Sequence, residues 1–288
     1  MSTSHMAASH KAASRMSRKS RVAGAVRAAA VAAVLTAGGG VAFAPAAHAE
    51  GAADAGHYYI EIGGTGPTEN KDGCPNSNSS YDAANSAFGL GDTAIKVCYP
   101  ASAGPIIGPT GGLIEPSGKV NPEALTAPTY DASVQLGIDR GLKAAQDTHD
   151  AHPDARLTIT GYSQGAQAAD VVLQKIAKGD TGVPRSQVDG MLYADPMQPD
   201  TGFGARVPKG LGIPGVASAP GAGPMDFDGI PVRRFCIVGD PVCDLRSLTN
   251  APGYINLHPL YPAVAIPKSL TQTGQNGVEW LNQNGDPV

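Results

Sequence analysis

Residues 157–178 read LTITGYSQGAQAADVVLQKIAK. The opening Leu157-Thr158-Ile159-Thr160 is a short β-rich run that stops at Gly161, whereas Ala166, Ala169, Val171, Val172, Ile176 and Ala177 follow a helical pattern. A strand therefore runs into a helix across Gly161-Tyr162-Ser163-Gln164-Gly165. A G-x-S-x-G pattern at such a junction puts the serine on a sharp turn, because small neighbours allow a strained backbone and close approach of strand and helix. The Ser163 hydroxyl is then expected to stand exposed above a sheet.

The same alternation continues on both sides. Apolar runs at 58–62, 94–97, 188–194 and 233–238 end at Gly63-Gly64, Cys98, Asp195 and Gly239-Asp240, and a second helical pattern spans 132–148. Strands and helices in alternation imply an α/β fold with a mainly parallel central sheet and helices on both faces. Ligands bind such sheets beyond the carboxyl ends of the strands. Residues 100–128 and 199–230 are rich in Gly and Pro and fit no regular element; the insertion near 199–230 reads as a binding loop, a cover, or a plain surface excursion.

The first 49 residues differ from the rest. They carry Lys11, Arg15, Arg18, Lys19, Arg21 and Arg27 without an acid, then an Ala/Val-rich run, then Ala47-His48-Ala49. This is the pattern of a secretory signal peptide cleaved after Ala49, and Gly38-Gly39-Gly40 with Pro45 argues against a stable membrane anchor. Residues 50–288 are then expected to form a single secreted, extracellular domain. They hold 15 basic residues against 25 acidic ones, a net charge of −10, which disfavours nucleic acid or an anionic bilayer as partner.

Four cysteines, Cys74, Cys98, Cys236 and Cys243, lie in this part. An even number in an exported chain favours two disulfides, and the pairing local in sequence closes the shortest loops. No C-x2-C spacing and no nearby histidine supports a metal site, so no metal is expected.

A serine needs a base within hydrogen-bond reach and a carboxylate to orient that base. In strand-turn-helix hydrolases the chain order is Ser, acid, His. Of the histidines after residue 49, namely His57, His149, His152 and His258, only His258 follows both Ser163 and a strand-end acid. Asp195, Asp240 and Asp244 all compete for the acid's place, and either strand-end acid could instead be a turn or cap residue. CIVGDPVC at 236–243 favours Asp240, because a disulfide closed around it would hold the carboxylate still. For the oxyanion, one donor is expected from the Gln164 backbone N–H and a second from Gly63-Gly64-Thr65-Gly66-Pro67, where Thr65 adds a hydroxyl.

GYSQG, the Cys-x3-Asp-x2-Cys spacing at Cys236, Asp240 and Cys243, and a later histidine resemble the cutinase family of secreted serine esterases. GGTGP at 63–67 and ADPMQPDTG at 194–202, followed by a Gly/Pro-rich insertion, are similar to the actinobacterial PE-PPE hydrolase domain. The resemblance implies an α/β-hydrolase without cofactor, acting on short to medium acyl esters or lipids through an acyl-enzyme. Ser163, Asp240 and His258 would form the triad, with Thr65 and Gln164 at the oxyanion site. Two departures stand out: Cys74 and Cys98 are both early, and the stretch from Asp240 to His258 is long for a compact cutinase. Beyond Arg233-Arg234 no basic cluster flanks the motifs, so a neutral substrate is expected. The rival readings are an acyltransferase on envelope lipids or sugars, and a non-catalytic secreted envelope-binding protein; the sequence is silent on oligomeric state.

Overall fold

Six short apolar segments form one parallel sheet in the computed structural model, which describes residues 56–66, 79–213 and 216–288. The strands are β1 (His57–Ile62), β2 (Asp92–Lys96), β5 (Arg156–Tyr162), β6 (Val188–Tyr193), β9 (Val232–Ile237) and β10 (Gly277–Leu281). Their spatial order is β10-β9-β6-β5-β1-β2, and every neighbouring pair is parallel. The order reverses between β1 and β5, with the register Ile62 opposite Gly161. A crevice opens beyond the carboxyl ends of such a pair. Ser163 and Thr65 follow directly from these two strands.

Helices cover both faces, which is why the inner strands read as continuous apolar runs rather than alternating ones. On one face α3 (Tyr130–Ala151) and α4 (Gln164–Lys178) pack against Ile60, Ile62, Leu157, Ile159 and Leu192. Thr129 caps α3 through the Ala132 N–H at 3.2 Å, and Gly179 ends α4 in a left-handed conformation. On the other face the one-turn helices α1 (Asp82–Asn85), α7 (Tyr261–Val264) and α8 (Ile266–Ser269) enclose Tyr59, Tyr193, Phe235 and Tyr261. The described residues all belong to one unit, Ala49–Val288. The expected leader at 1–49 and Cys74 lie outside the described residues.

The two Gly/Pro-rich segments hold more structure than their sequences suggest. Residues 100–128 contain the hairpin β3 (Ile107–Gly108) with β4 (Gly111–Gly112) and the helix α2 (Pro122–Thr126). Residues 199–230 contain α5 (Phe203–Arg206) and the hairpin β7 (Gly212–Ile213) with β8 (Ala217–Ser218). The second excursion is tied down along its length: Phe203 N–H to Val242 O (2.9 Å), Gly204 N–H to Pro196 O (2.8 Å), Tyr130 N–H to Val216 O (2.8 Å) and Gly223 N–H to Met197 O (2.7 Å). Two-residue strands and one-turn helices are too short for a period to build up in sequence. The edge strand β10 escapes the sequence reading for a related reason, since GVEWL is short and interrupted by Glu279. A further one-turn helix, α6 (Gly253–Asn256), lies between β9 and His258.

Candidate active site

The junction between β5 and α4 is built by backbone crowding. Ser163 has φ 57° and ψ −120°, a conformation that costs a non-glycine residue about 1–3 kcal/mol. A Cβ on Gly161 would lie 2.2 Å from Gly165 O, and one on Gly165 would lie 2.0 Å from Ile62 O. Only glycine at both places lets α4 begin directly against β1 and β5. The turn is secured by Ser163 N–H to Tyr193 O (2.9 Å) and Ala166 N–H to Ser163 O (2.9 Å). The serine side chain is thereby left facing the crevice, at the positive end of a helix of 15 residues.

His258 and Asp240 reach that side chain from separate loops. His258 Nε2 lies 2.8 Å from Ser163 Oγ, and its Nδ1 lies 2.8 Å from Asp240 Oδ2. The imidazole is held between aromatic rings, Tyr254 at 5.1 Å and Tyr162 at 5.3 Å, while the Tyr162 hydroxyl donates to His258 O at 2.6 Å. Asp240 is fully buried; its Oδ1 accepts the Val242 N–H at 3.1 Å, which leaves Oδ2 for the histidine. The Cys236–Cys243 disulfide closes the turn that carries it, with a Cα–Cα distance of 5.8 Å. Cys98 is also disulfide-bonded.

The competing acids are committed elsewhere. Asp244 accepts from Arg246 (2.6 and 2.9 Å) and from the Gly239 N–H (2.9 Å), so it braces the backbone before Asp240. Asp195 is buried against Arg234, whose Nε donates to its Oδ2 at 2.9 Å. Arg234 Nη2 donates in turn to Asp170 Oδ2 (2.6 Å) and to Pro224 O (3.0 Å). Burial pushes the Asp170 carboxyl up to about 7, the charge of Asp195 adding to the effect and Arg234 opposing it. Sequence reading treats Arg234 as a flanking charge and does not single out Asp170; the one local signal is an acid inside the Ala168-Ala169-Asp170-Val171-Val172 run of a buried helix face. Arg234 meets the two acids across 39 and 64 positions of sequence.

The other histidines lie apart from the crevice, His57 bonding Thr158 Oγ1 at 2.7 Å and His152 stacking on Tyr58 at 4.6 Å. A further buried acid, Glu61, sits on β1 with Asn85 as hydrogen-bond donor at 3.1 Å, and burial pushes its carboxyl up to about 7. Among the described residues no group of three His, Cys, Asp or Glu side chains is arranged to hold a metal ion.

Thr65 and Ser163 open into a cleft of about 570 Å³. The 199–230 excursion contributes Phe203 and Val207 to its wall, and the segment after β9 contributes Val242, Leu248 and Tyr254. Among the described residues no charged one lines it: Arg233 pairs with Glu279, and Arg234 is buried. The Gln164 N–H is at the first position of α4, where it has no acceptor within the helix. The Gln164 side chain turns inward and is fully buried.

Residues 62–266 match the sequence profile of the cutinase family. No curated protein matches the chain. Among solved structures, an acetyl xylan esterase determined at 0.90 Å is 20% identical over 73% of this chain and 96% of its own, with a TM-score of 0.41. The catalytic core domain of acetyl xylan esterase from Trichoderma reesei is 21% identical over 73% and 97%, with a TM-score of 0.43. A cutinase-like protein from Cryptococcus sp. is 18% identical over 72% and 87%, also with a TM-score of 0.43.

Proposed function

Starting from a chain that belongs to the cutinase family and is a serine carboxylic ester hydrolase, we propose that Ser163, His258 and Asp240 form its catalytic triad and that it cleaves neutral acyl esters of short to medium chain length. The observation that carries this reading is the unbroken line of two 2.8 Å contacts from Ser163 Oγ through the imidazole to Asp240 Oδ2. His258 Nε2 takes the proton as Ser163 Oγ attacks the ester carbonyl, and Asp240 accepts the Nδ1–H, holding the tautomer and supporting the imidazolium. The charge that develops on the carbonyl oxygen is met by the Gln164 N–H at the start of α4 and by Thr65. Collapse of the tetrahedral intermediate releases the alcohol, which leaves with the proton from Nε2. Water activated by the same imidazole then attacks the acyl-serine and releases the acid.

The substrate class follows from the cleft. A volume of about 570 Å³ with uncharged, mostly apolar walls accommodates an acyl chain and disfavours a carboxylate or phosphate next to the ester. Export is part of the same reading: the basic and apolar pattern of residues 1–49 and a disulfide beside the reacting groups suit an oxidising compartment. The test is hydrolysis of p-nitrophenyl esters from acetate to palmitate at pH 8 by the chain and by Ser163→Ala. Turnover lost in the variant, with an optimum among the shorter chains, is the expected result. Equal background rates in both proteins would overturn it.

A further inference from the structure

The Gln164 side chain takes no part in the chemistry just described, yet it is fully buried and each of its polar ends is hydrogen-bonded. Its Nε2 donates to Ser102 O at 2.9 Å, and its Oε1 accepts the Ser133 hydroxyl at 3.0 Å. Ser133 Oγ in turn accepts the Ser102 N–H at 3.1 Å. The three residues close a ring in which the carbonyl and the N–H of Ser102 are both held, one by Gln164 and the other by α3. All three are buried without measurable exposure.

What the ring holds is the segment that carries the other side of the oxyanion site. The N–H of Gly66, next to Thr65, donates to Ala101 O at 3.1 Å, and the Tyr99 hydroxyl donates to Gly63 O. The loop bearing Thr65 is thus fastened at both ends to residues 99–101. Ala101 itself is buried with φ 48°, a strained backbone for a residue with a side chain, and it immediately precedes the ring. A strained peptide persists only where its surroundings over-determine it; the Gln164–Ser102–Ser133 ring does so from the helix side, alongside the bond from Ser102 Oγ to Pro128 O at 2.8 Å.

We propose that the Gln164 side chain and Ser133 are positioning residues that set the separation of the two oxyanion donors. The inference rests on the reading of Ser163 as nucleophile and of Gln164 N–H and Thr65 as donors. One residue then supplies a donor through its backbone and, through its side chain, fixes the loop carrying the second. Oxyanion donors act on the transition state because they are aimed in advance at the position the charged oxygen will occupy. Loosening the ring is therefore expected to weaken transition-state binding and leave substrate binding alone.

The experiment compares the full chain with Ser133→Ala and with Gln164→Met, which keeps side-chain length while removing both hydrogen bonds. Val134→Ala on the same helix serves as control, a core truncation next to Ser133 that removes none of the ring's hydrogen bonds. For p-nitrophenyl butyrate, kcat should fall about 10- to 100-fold in both ring variants with KM changed less than about 3-fold, a loss smaller than deletion of a donor itself would give. The inhibition constant for butylboronic acid, whose tetrahedral, anionic adduct on Ser163 places a boronate hydroxyl in the same site, should rise as kcat/KM falls. Val134→Ala should lower the melting temperature yet keep kcat and boronate affinity. A folded ring variant with wild-type kcat, or losses that fall on KM without weakening boronate binding, would overturn the inference while Ser163→Ala remained inactive. Activity that survives Ser163→Ala would instead overturn the assignment of the nucleophile, and this inference with it.

Discussion

Asp195 and Asp240 end adjacent strands, β6 and β9, in turns of the same local design. Each follows a residue with positive φ, Ala194 at 50° and Gly239 at 91°, and each precedes a proline. Each is fully buried and uses Oδ1 to accept the N–H two residues on, Met197 at 2.9 Å and Val242 at 3.1 Å. The difference lies in the second oxygen. Asp195 Oδ2 meets a guanidinium that never gives up its charge, whereas Asp240 Oδ2 meets an imidazole, a group able to take up and hand on a proton. The first contact anchors the 199–230 excursion through Arg234 and Pro224; the second lies on the proton path assigned to Ser163. The role of a strand-end aspartate is therefore decided by what faces its free oxygen, and not by the turn that holds it.

The contrast can be broken most forcefully at the partners. His258→Ala should cost about 10³-fold or more in kcat with little change in melting temperature, if the imidazole has the chemical role proposed for it rather than that of holding loops. Arg234→Met should do the reverse. Removing the cation leaves Asp170 and Asp195 buried without a counter-charge, a loss of about 3–5 kcal/mol seen as a lower denaturation midpoint, with kcat per folded molecule retained. If Arg234→Met abolished turnover in folded protein, the anchor would belong to the catalytic machinery after all.

A third buried acid sharpens the comparison because, among the described residues, its one side-chain donor is the neutral amide of Asn85, Lys96 acting on it only through its charge while bonded to Asp82. Glu61 has a folded pKa of about 7, raised by burial above its ordinary value near 4.5. Its Oε1 has no hydrogen-bond partner among the described residues. A raised folded pKa means that the native state holds its proton longer than the unfolded chain. Stability is then full below about pH 4.5 and is lost as pH rises towards about 7. Glu61→Gln should flatten that decline and be more stable than the parent at pH 8, by on the order of 3 kcal/mol, in chemical denaturation followed from pH 4 to 8. An unchanged pH profile would show that Glu61 ionises normally.

The smallest effect concerns the staple. Cys236→Ser with Cys243→Ser should remove about 2 kcal/mol of stability, appropriate to so short a loop. It should also lower kcat several-fold at temperatures where the protein is fully folded, because Asp240 then moves relative to His258. Unchanged turnover in folded protein would leave the disulfide a purely structural role, like that of Arg234 beside Asp195.

How far the sequence could lead is visible in the same residues. The β5 to α4 junction is legible because every requirement is local: an apolar run, two glycines where a Cβ would collide with backbone, and a serine between them. The strands leading into the crevice are legible for the same reason, with ends displaced by one or two residues. Asp170 and Arg234 are not, since a buried ion pair declares itself only when residues 64 positions apart meet. The ring of Gln164, Ser133 and Ser102 is hidden in the same way: two of its bonds run to main-chain atoms of Ser102, which no side-chain pattern reveals. The 199–230 excursion reads as a loop in sequence because its hydrogen bonds are made to distant backbone rather than within a periodic element.

The most direct test sets the two turns against each other. Asp240→Asn and Asp195→Asn make the same chemical change, and kcat for one p-nitrophenyl ester can be measured for each alongside its thermal unfolding. Asp240→Asn is expected to lose about 10³- to 10⁴-fold in kcat with the melting temperature nearly unchanged. Asp195→Asn is expected to melt lower and to keep kcat per folded molecule. Equal losses of turnover in the two variants, or turnover retained in folded Asp240→Asn, would contradict the assignment.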